Sequence, residues 1–584
     1  MGILLRTAAI SLALCVAVMA QNPTSKPPAA DQDLSNNPLL TPRPLPAPPV
    51  PDLTRLGVTG GVLPLSLAEA IRFALENNNE IEVSRDNVRL AGTTLRSLQG
   101  VYDPIINLTP QISVVDTPSA NITGGGPSSG KITQKFMTLS PSLTKQFSVG
   151  GGQYQFFFDN QRATSNAGST SLSPNYSASV GVTFTQPLLR NRSIDIYRHD
   201  IRIQRKRLTQ SDFDFRLSTI AVIARVQQAY WELVFARRDQ QNQLSNLNLA
   251  RAQLRMIEER ISVGAAAPLD RAQALTQIAT SETNLLSATQ YVTTTENALK
   301  QLILHNTAAG EWSAPIEPTD QPSHDTAPIN LPDALKEAFA NRPELNRLRL
   351  QREINGIDIQ FYHNQTLPRV DVQSTMISTG FAGAEVQQPF ISGTPATNST
   401  AFLLDQVNQL RSAQGLPAAS VPLVASPVAN YLVGGYGQAL GNFGRFRTVT
   451  VGVAIQLPLR NRTAQANLAG ARIQREQLSA TVQAQEQAIE VDVRNAAQAV
   501  EITRRQVLTA RAARESAEIQ LAGEEKRYQT GLSTIFLVFQ FQNQLVSART
   551  AESRAEANDN QAIANFQRAT STTLRVNNVS VVTP

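Results

Sequence analysis

The chain has few of the side chains that build metal, redox and disulfide sites. Its 584 residues include one cysteine and four histidines. A disulfide framework needs cysteine pairs, and compact zinc sites are made mainly from Cys and His ligands. The sequence therefore excludes a disulfide scaffold and predicts neither a metal site nor a cofactor.

Aromatic side chains and net charge are also scarce. Aromatic residues make up 6% of the chain, hydrophobic residues make up 41%, and the net charge is +6. A chain of this length would ordinarily contain about four domains, but the composition is lean for large compact enzyme cores. Abundant Ala, Gln, Asn, Ser and Thr favour long helices that pack along rows of small residues instead.

Catalytic motifs are missing or lie in the wrong context. The sequence has no H-E-x-x-H and no C-x-x-C. Residues 126–130 match the letters of G-x-S-x-G, but a nucleophile elbow joins a strand to a helix, and this stretch is polar and Gly-rich. The Walker-like run from Gly125 to Lys131 continues with Ile132, where a Ser or Thr is needed to bind Mg²⁺. We therefore predict that the protein is not an enzyme.

The first 20 residues have the three parts of a signal peptide. Arg6 provides the positive charge, residues 7–18 form a short apolar core, and small residues precede position 21. The only cysteine, Cys15, lies in this segment after a bulky leucine, which disfavours a lipoprotein. Residues 21–63 form a Pro-rich linker. No later apolar run reaches the ~20 residues of a transmembrane helix, so only a β-barrel would carry the mature chain across a membrane.

The rest of the chain is predicted to be two copies of one unit. The copies occupy residues 64–305 and 329–574, with a linker at 306–328 and a tail at 575–584. The matches that support a duplication keep their order at a nearly constant separation. They pair Leu67, Ala70 and Ile71 with Leu331, Ala334 and Leu335, Pro187 with Pro458, and Arg260 and Gly264 with Arg527 and Gly531.

Two segments in each copy alternate between apolar and polar residues. This period of two predicts strands, and a length of about 10 residues suits a tilted strand that crosses a membrane. Lipid on one side and water on the other would produce this pattern, although a half-buried soluble sheet produces it too. The apolar positions run from Ile106 to Val114, Val180 to Phe184, Val370 to Met376 and Val449 to Ile455.

Each strand pair is followed by a very long helical segment. Residues 193–260 contain neither Pro nor Gly, and as a helix they would be about 100 Å long. Gly264 ends this helix, and a returning helix covers residues 269–305. The second copy repeats the arrangement, with a helix over 463–528, a turn at Gly531 and a second return. Large and small residues at heptad spacing favour antiparallel coiled-coil packing.

Four strands in one chain cannot close a barrel around a lumen. An open sheet edge is not tolerated in lipid, and the smallest bacterial barrels have about eight strands. Further copies of the chain must complete the barrel, and a dimer or a trimer would satisfy this requirement. We place the long polar segments 116–177 and 379–447 outside the cell. A hairpin around residues 150–152 would either extend the barrel or add strands to it.

The order helix, strand, strand, long helix and returning helix, present twice, resembles the TolC-like outer membrane efflux channels (outer membrane factors). The resemblance covers residues 60–575 and implies a mixed α+β membrane protein with four transmembrane strands per chain. It also implies a homotrimer with a 12-stranded β-barrel continued by a 12-helix α-barrel. Its motifs are Leu67 to Asn78, Gln186-Pro187-Leu188 at a strand end, and Tyr528 to Gly531 at a helical turn.

The resemblance also implies a function. The trimer would lie in the outer membrane with its helices in the periplasm. It would serve as the passive exit duct of a tripartite efflux or type I secretion system for drugs, metal ions or polypeptides. An inner-membrane pump would energise export through a periplasmic adaptor (membrane fusion protein). The alternative is a secreted periplasmic coiled-coil scaffold that does not span the membrane.

The two helical turns are candidate adaptor sites, because adaptors of this family engage such turns. The resemblance assigns docking to Gly264, Ala265, Gly531 and Leu532. Each glycine also suits a helix C-cap with a positive φ.

A gate near the tips is the second candidate site. The family's gate Asp and Tyr correspond to Asp270 and Tyr528, and its gate Arg corresponds to Ser533, which is a departure. The positions of the family's acidic constriction ring are occupied here by Leu537 and Gln540. Neither is acidic, so we do not expect strong cation selectivity from such a ring. Asp270 also suits a helix start, where the helix dipole favours an acid.

A basic stretch begins just after the second strand. With a pI of about 9.5, it invites a nucleic-acid interpretation, which the export signal argues against. We predict that it lies at the base of the barrel. There it either contacts inner-leaflet lipid phosphates or forms an ordinary solvated helix face. Its residues are Arg198, Arg202, Arg205, Lys206 and Arg207.

Overall fold

The computed structural model of the chain describes residues 55, 57–58, 61–118, 130–167, 170–322, 328–386, 400–419 and 428–581. The predicted signal peptide and most of the Pro-rich linker lie outside these residues. Of the G-x-S-x-G match at 126–130, only Gly130 is among the described residues.

Both halves of the described chain share a short strand, two short helices, long strands, a very long helix and a returning helix, but the first half has four long strands and the second has two. The first half contains β1 (Leu63–Leu65), α1 (Leu67–Asn77), α2 (Asn79–Gln99), β2 (Ile105–Pro118), β3 (Lys131–Gln146), β4 (Gln153–Ser165), β5 (Leu172–Pro187), α3 (Ile196–Ser262) and α4 (Pro268–Ile303). The second half contains β6 (Ile316–Pro318), α5 (Leu331–Asn341), α6 (Pro343–Gln365), β7 (Arg369–Glu385), α7 (Thr400–Ala413), α8 (Tyr436–Gly441), β8 (Phe446–Gln456), α9 (Arg462–Gln529), α10 (Ile535–Ala569) and α11 (Thr573–Val576).

The helix predicted over residues 65–100 is two helices with a polar break between them. Ser66 starts α1 with a capping box, in which its Oγ accepts from the Glu69 amide at 3.3 Å and the Glu69 carboxylate accepts from the Ser66 amide at 3.0 Å. Asn78 then ends α1 and caps α2, because its Oδ1 accepts from the amides of Glu80 and Ile81 at 3.0 and 3.3 Å. An Asn side chain that satisfies free helix amides favours a new start at this point.

Each of the two long helices is continuous, and the chain then turns back into a shorter helix. α3 has 67 residues and α9 has 68, so each is about 100 Å long. α4 packs on α3, α10 packs on α9, and α10 also packs on α3. The shared apolar core of these four helices includes Leu247, Leu254, Ile278, Leu285, Leu521, Val538, Phe539 and Leu545.

A cluster of buried charges ties the start of the described chain to the first hairpin of helices. Glu296 on α4 has a side chain only 1% exposed, and its carboxylate lies 2.7 Å from Arg55 and 2.8 Å from Lys300. Arg237 on α3 approaches the same carboxylate at 3.2 Å. Lys300 also donates to the carbonyl of Trp312 at 2.8 Å. One buried carboxylate is therefore the shared ion-pair partner of three cations.

The segment between the halves is partly structured. Its strand β6 pairs in parallel with β1, with Leu63 opposite Ile316 and Leu65 opposite Pro318. The Tyr230 hydroxyl of α3 lies 3.0 Å from both the Leu65 carbonyl and an Asp320 carboxylate oxygen. The predicted linker at 306–328 therefore contributes β6 to the packed core, and β1 begins at Leu63, the last residue of the predicted linker at 21–63.

The remaining six strands form one antiparallel sheet in the order β2-β3-β4-β5-β7-β8. The sheet therefore has two more strands than the four that the sequence predicted to cross the membrane. The two additional strands are β3 and β4, which form the hairpin that the sequence left either to extend the barrel or to add strands to it. Lys135, Pro141, Lys145, Asn160 and Arg162 stand at positions that a regular alternation would make apolar, which is why the period of two is weak there.

Candidate functional site

The helical tips are built by the same turn in both halves. After α3, Gly264 has φ +75° and the Ala265 amide donates to the Arg260 carbonyl at 2.7 Å. After α9, Gly531 has φ +81° and the Leu532 amide donates to the Arg527 carbonyl at 2.8 Å. A Cβ built at either glycine meets no atom within 4 Å. Glycine is therefore required by the left-handed backbone that closes these helices and not by lack of space.

Apolar side chains project from these turns. Val263 and Leu532 are 77% and 73% exposed, and Leu269 and Phe536 are 67% and 61% exposed. The core shared by α3, α4, α9 and α10 lies just behind them. The tips therefore present an exposed apolar surface on a packed base, which is the pattern of a protein-binding surface.

Three of the gate candidates, Asp270, Tyr528 and Ser533, each have a local contact at the tips. The Asp270 carboxylate accepts from the Ala267 amide at 3.3 Å, which is the helix-start role. The Tyr528 ring lies beneath the guanidinium of Arg260, 4.9 Å from its carbon. The Ser533 hydroxyl donates to the Glu524 carboxylate.

Arg260 is a cation at the tip that was not among the predicted gate residues. Its signal in the sequence was the match of Arg260 and Gly264 with Arg527 and Gly531. The same spacing places Arg527 on α9, where it pairs with Glu524 at 3.2 Å. Leu537 and Gln540 lie exposed on α10, one turn apart.

The five residues of the basic stretch at the start of α3 differ in their surroundings. Arg198 is 11% exposed, pairs with Asp195 at 2.8 Å, and donates to the Arg192 carbonyl at 2.8 Å. Lys206 forms an ion pair with Glu353 on α6 at 2.7 Å, and Arg202 donates to Gln360 at 3.2 Å. Arg205 and Arg207 remain exposed on the helix. The start of α3 therefore holds Arg198, and packing against α6 engages Arg202 and Lys206.

A buried histidine joins α3 to α6 in the same region. His199 is 8% exposed, and its two ring nitrogens lie 2.8 Å from carboxylate oxygens of Asp200 and Asp358. Burial lowers the pKa of His199, but the hydrogen bonds to Asp358 and Asp200 outweigh it, so the pKa lies above the ordinary value of 6.5. The two acids therefore favour the protonated form of this histidine.

Rows of opposed residues cross all six strands of the sheet, and they are apolar on one face and mainly polar on the other. A single row of directly opposed residues on the apolar face is Ile106, Leu143, Phe156, Val182, Met376 and Val449. The neighbouring row on the other face is Ile105, Thr144, Gln155, Thr183, Thr375 and Thr450. Hydroxyl pairs link strands on this polar face, as between Ser179 and Thr379 at 3.1 Å.

The apolar face is largely uncovered. Ile106 is 77% exposed, Ile112 is 73% exposed and Val449 is 64% exposed. An isolated soluble chain rarely exposes so wide an apolar surface. In the described part of the chain, no helix combines the length and apolar character that a membrane-spanning helix requires.

Solved structures share this fold. A membrane protein from Pseudomonas aeruginosa matches at 16% identity with a TM-score of 0.56, covering 86% of this chain and 93% of that chain. The Campylobacter jejuni CmeC outer membrane channel matches at 14% identity with a TM-score of 0.57, over 88% and 90% of the two chains. The open-state Neisseria gonorrhoeae MtrE outer membrane channel matches at 14% identity with a TM-score of 0.54, over 87% and 89%. The fold is thus that of outer membrane channels.

A sequence comparison leads to the same class. The profile of the family described as outer membrane efflux protein matches residues 156–303 and 434–572, which include both long helices. A comparison with curated protein sequences finds no match. The chain belongs to the outer membrane efflux protein family, the TolC-like channels that its motifs resemble.

Proposed function

We propose that three copies of this chain form a passive exit duct through the outer membrane, with the long helices extending into the periplasm. The observation that carries the proposal is the two-faced sheet whose edge strands are β2 and β8. An edge strand exposes unpaired amides and carbonyls, and lipid cannot satisfy them. β2 of one copy must therefore pair with β8 of the next, and the apolar face contacts lipid while the polar face lines the lumen.

The helices continue the duct below the membrane. β5 and β8 lead directly into α3 and α9, which are both long enough to cross a wide periplasmic space. The exposed tips at Gly264, Ala265, Gly531 and Leu532 are the docking surface for a periplasmic adaptor, and an inner-membrane pump supplies the energy. Asp270, Tyr528 and Ser533 form part of the closed gate, to which Arg260 contributes the cation.

Fractionation tests the location and the assembly together. We expect the protein in the outer membrane fraction, migrating as a trimer in mild detergent and as a monomer after heating. The scaffold alternative predicts a protein that is released by osmotic shock and stays soluble without detergent. A monomeric or periplasmic protein would refute the proposal.

Photo-crosslinking tests the docking surface. A crosslinking amino acid at Leu532 or Val263 should capture the co-expressed adaptor in cells. The same amino acid at Leu508, which is 63% exposed in the middle of α9, serves as the matched control and should capture much less. Equal capture at Leu508 and Leu532 would show that the tips are not the docking site.

Ion selectivity tests the lumen near the gate. Because Leu537 and Gln540 carry no charge, the reconstituted duct should show weak cation selectivity in a salt gradient. Gln540→Asp should move the reversal potential toward the cation value, and a control change at Leu508 should not. A strongly cation-selective native duct would contradict this assignment.

A further inference from the structure

The hairpin of β3 and β4 spans the full height of the sheet. Its turn at residues 147–152 lies at the end where β5 stops and α3 begins, because the Gln186 amide donates to the Gly150 carbonyl at 2.8 Å. A Cβ at Gly151 would lie 2.5 Å from the Asn191 carbonyl oxygen. The turn is therefore packed against the junction with the helices, and the hairpin is not an appendage at the opposite end.

In the rows that contain Ile106 and Ile105, the hairpin also continues both faces of the sheet. Between Ile106 of β2 and Val182 of β5 it places Leu143 and Phe156 on the apolar face. In the adjacent row it places Thr144 and Gln155 on the polar face. In a strand surrounded by water above the membrane, nothing would favour apolar residues at the positions that lie opposite lipid-facing residues.

Side-chain packing fixes the hairpin to its neighbour. The Phe157 ring of β4 lies over Gly181 of β5, where a Cβ would come within 2.3 Å of the ring. On the opposite face, Tyr154 and Phe156 pack edge to face at 5.3 Å, and Phe147 approaches Phe184 at 6.2 Å. These rings lie at the end of the sheet nearest the helices, where aromatic residues of membrane barrels collect at the lipid–water boundary.

We propose that β3 and β4 are part of the lipid-facing barrel wall, so that the assembled duct has eighteen strands instead of the twelve that the family resemblance implies. The proposal rests on the trimer proposed above, since three six-stranded sheets supply eighteen strands. At a strand spacing of ~4.8 Å and a tilt of ~40°, the backbone diameter rises from about 24 Å to about 36 Å. The outer membrane section is then markedly wider than a twelve-stranded one and suits bulkier cargo.

Cysteine labelling tests this assignment on the full-length chain. The only cysteine is Cys15, so a Cys15→Ala background leaves single introduced thiols as the only reactive sites. Leu143→Cys and Ser142→Cys probe the two faces of β3. Ile106→Cys and Asn107→Cys are the reference pair on β2, directly opposite them.

In native outer membranes, a charged maleimide should label Leu143→Cys about tenfold more slowly than Ser142→Cys, because a thiol in apolar surroundings stays protonated and unreactive. The Ile106→Cys and Asn107→Cys pair should show the same contrast. All four thiols should react equally after denaturation.

The outcomes separate this proposal from the function on which it rests. Equal labelling of the two β3 thiols, with the β2 contrast preserved, places the hairpin outside the bilayer and overturns the eighteen-stranded wall alone. Loss of contrast at both pairs overturns the membrane barrel as well. An image of the purified trimer gives a second reading, since a ring of twelve strands would also overturn the inference.

Discussion

Removing the charge of Glu296 should be among the most damaging conservative changes in this protein. Glu296→Gln keeps the shape of the side chain but leaves Arg55, Arg237 and Lys300 without their shared counter-ion. The Glu296 and Lys300 side chains are 1% and 2% exposed. Water therefore cannot solvate the Lys300 ammonium group once its counter-ion is lost. Breaking a buried ion pair in this way costs about 3–5 kcal/mol of unfolding free energy.

The assay follows from the position of the tryptophans. The chain has two: Trp231 is 6% exposed in the core formed by α1 to α4, and the Trp312 carbonyl accepts from Lys300. Tryptophan fluorescence during urea titration therefore reports unfolding next to the cluster. Unfolding free energies of the native protein and the variant are compared at the same ionic strength.

The matched control is Glu490→Gln on α9. Glu490 also pairs with a basic residue, Arg494 at 2.7 Å, but the two side chains are 44% and 54% exposed. An exposed helix pair of this kind is worth only about 0.3–0.5 kcal/mol. If Glu296→Gln costs no more than Glu490→Gln, burial does not set the strength of the cluster and the reasoning is refuted.

Two further predictions concern the helix junctions. Because the pKa of His199 is raised above 6.5, its stabilising contribution is fully present below pH 6.5 and is lost as the pH rises through the higher pKa of the folded state. Asp358→Asn should reduce this loss in thermal unfolding measured across pH, and an unchanged pH profile would contradict the assignment. Gly531→Ala should destabilise the tip by about 1 kcal/mol because alanine resists a left-handed backbone. Gly470→Ala, inside α9 with equal space around it, should be neutral or stabilising; equal effects of the two changes on urea unfolding would argue against a backbone cause.

The duplicated order of helices and strands could be predicted because periodicity is local. The run without Pro or Gly predicts α3, and the match between the two halves predicts α9, each to within a few residues of its observed ends. Gly264 and Gly531 mark both turns, since only glycine adopts a positive φ there without strain. Strong alternation likewise predicts β2, β5, β7 and β8.

The sequence was less informative where a contact between distant residues decides the structure. β3 and β4 carry charges and a proline that mask their alternation, and only the register with β2 and β5 reveals that they belong to the same sheet. The basic residues Arg198 and Lys206 look like a charged surface in the sequence. Their pairing with Asp195 and with Glu353 depends on how α3 begins and on how it packs against α6.

By itself, the sequence predicted the class of protein: alternating strands and long helices are read from neighbouring residues, and the tandem halves from matches that keep their order along the chain. Only the tertiary structure decided the number of strands in the sheet, the counter-ions of the basic stretch and the burial of Glu296. The physical reason is that hydrogen-bond register, ion pairing and exclusion of water arise between residues that are far apart in the chain, and no local pattern records which of them meet.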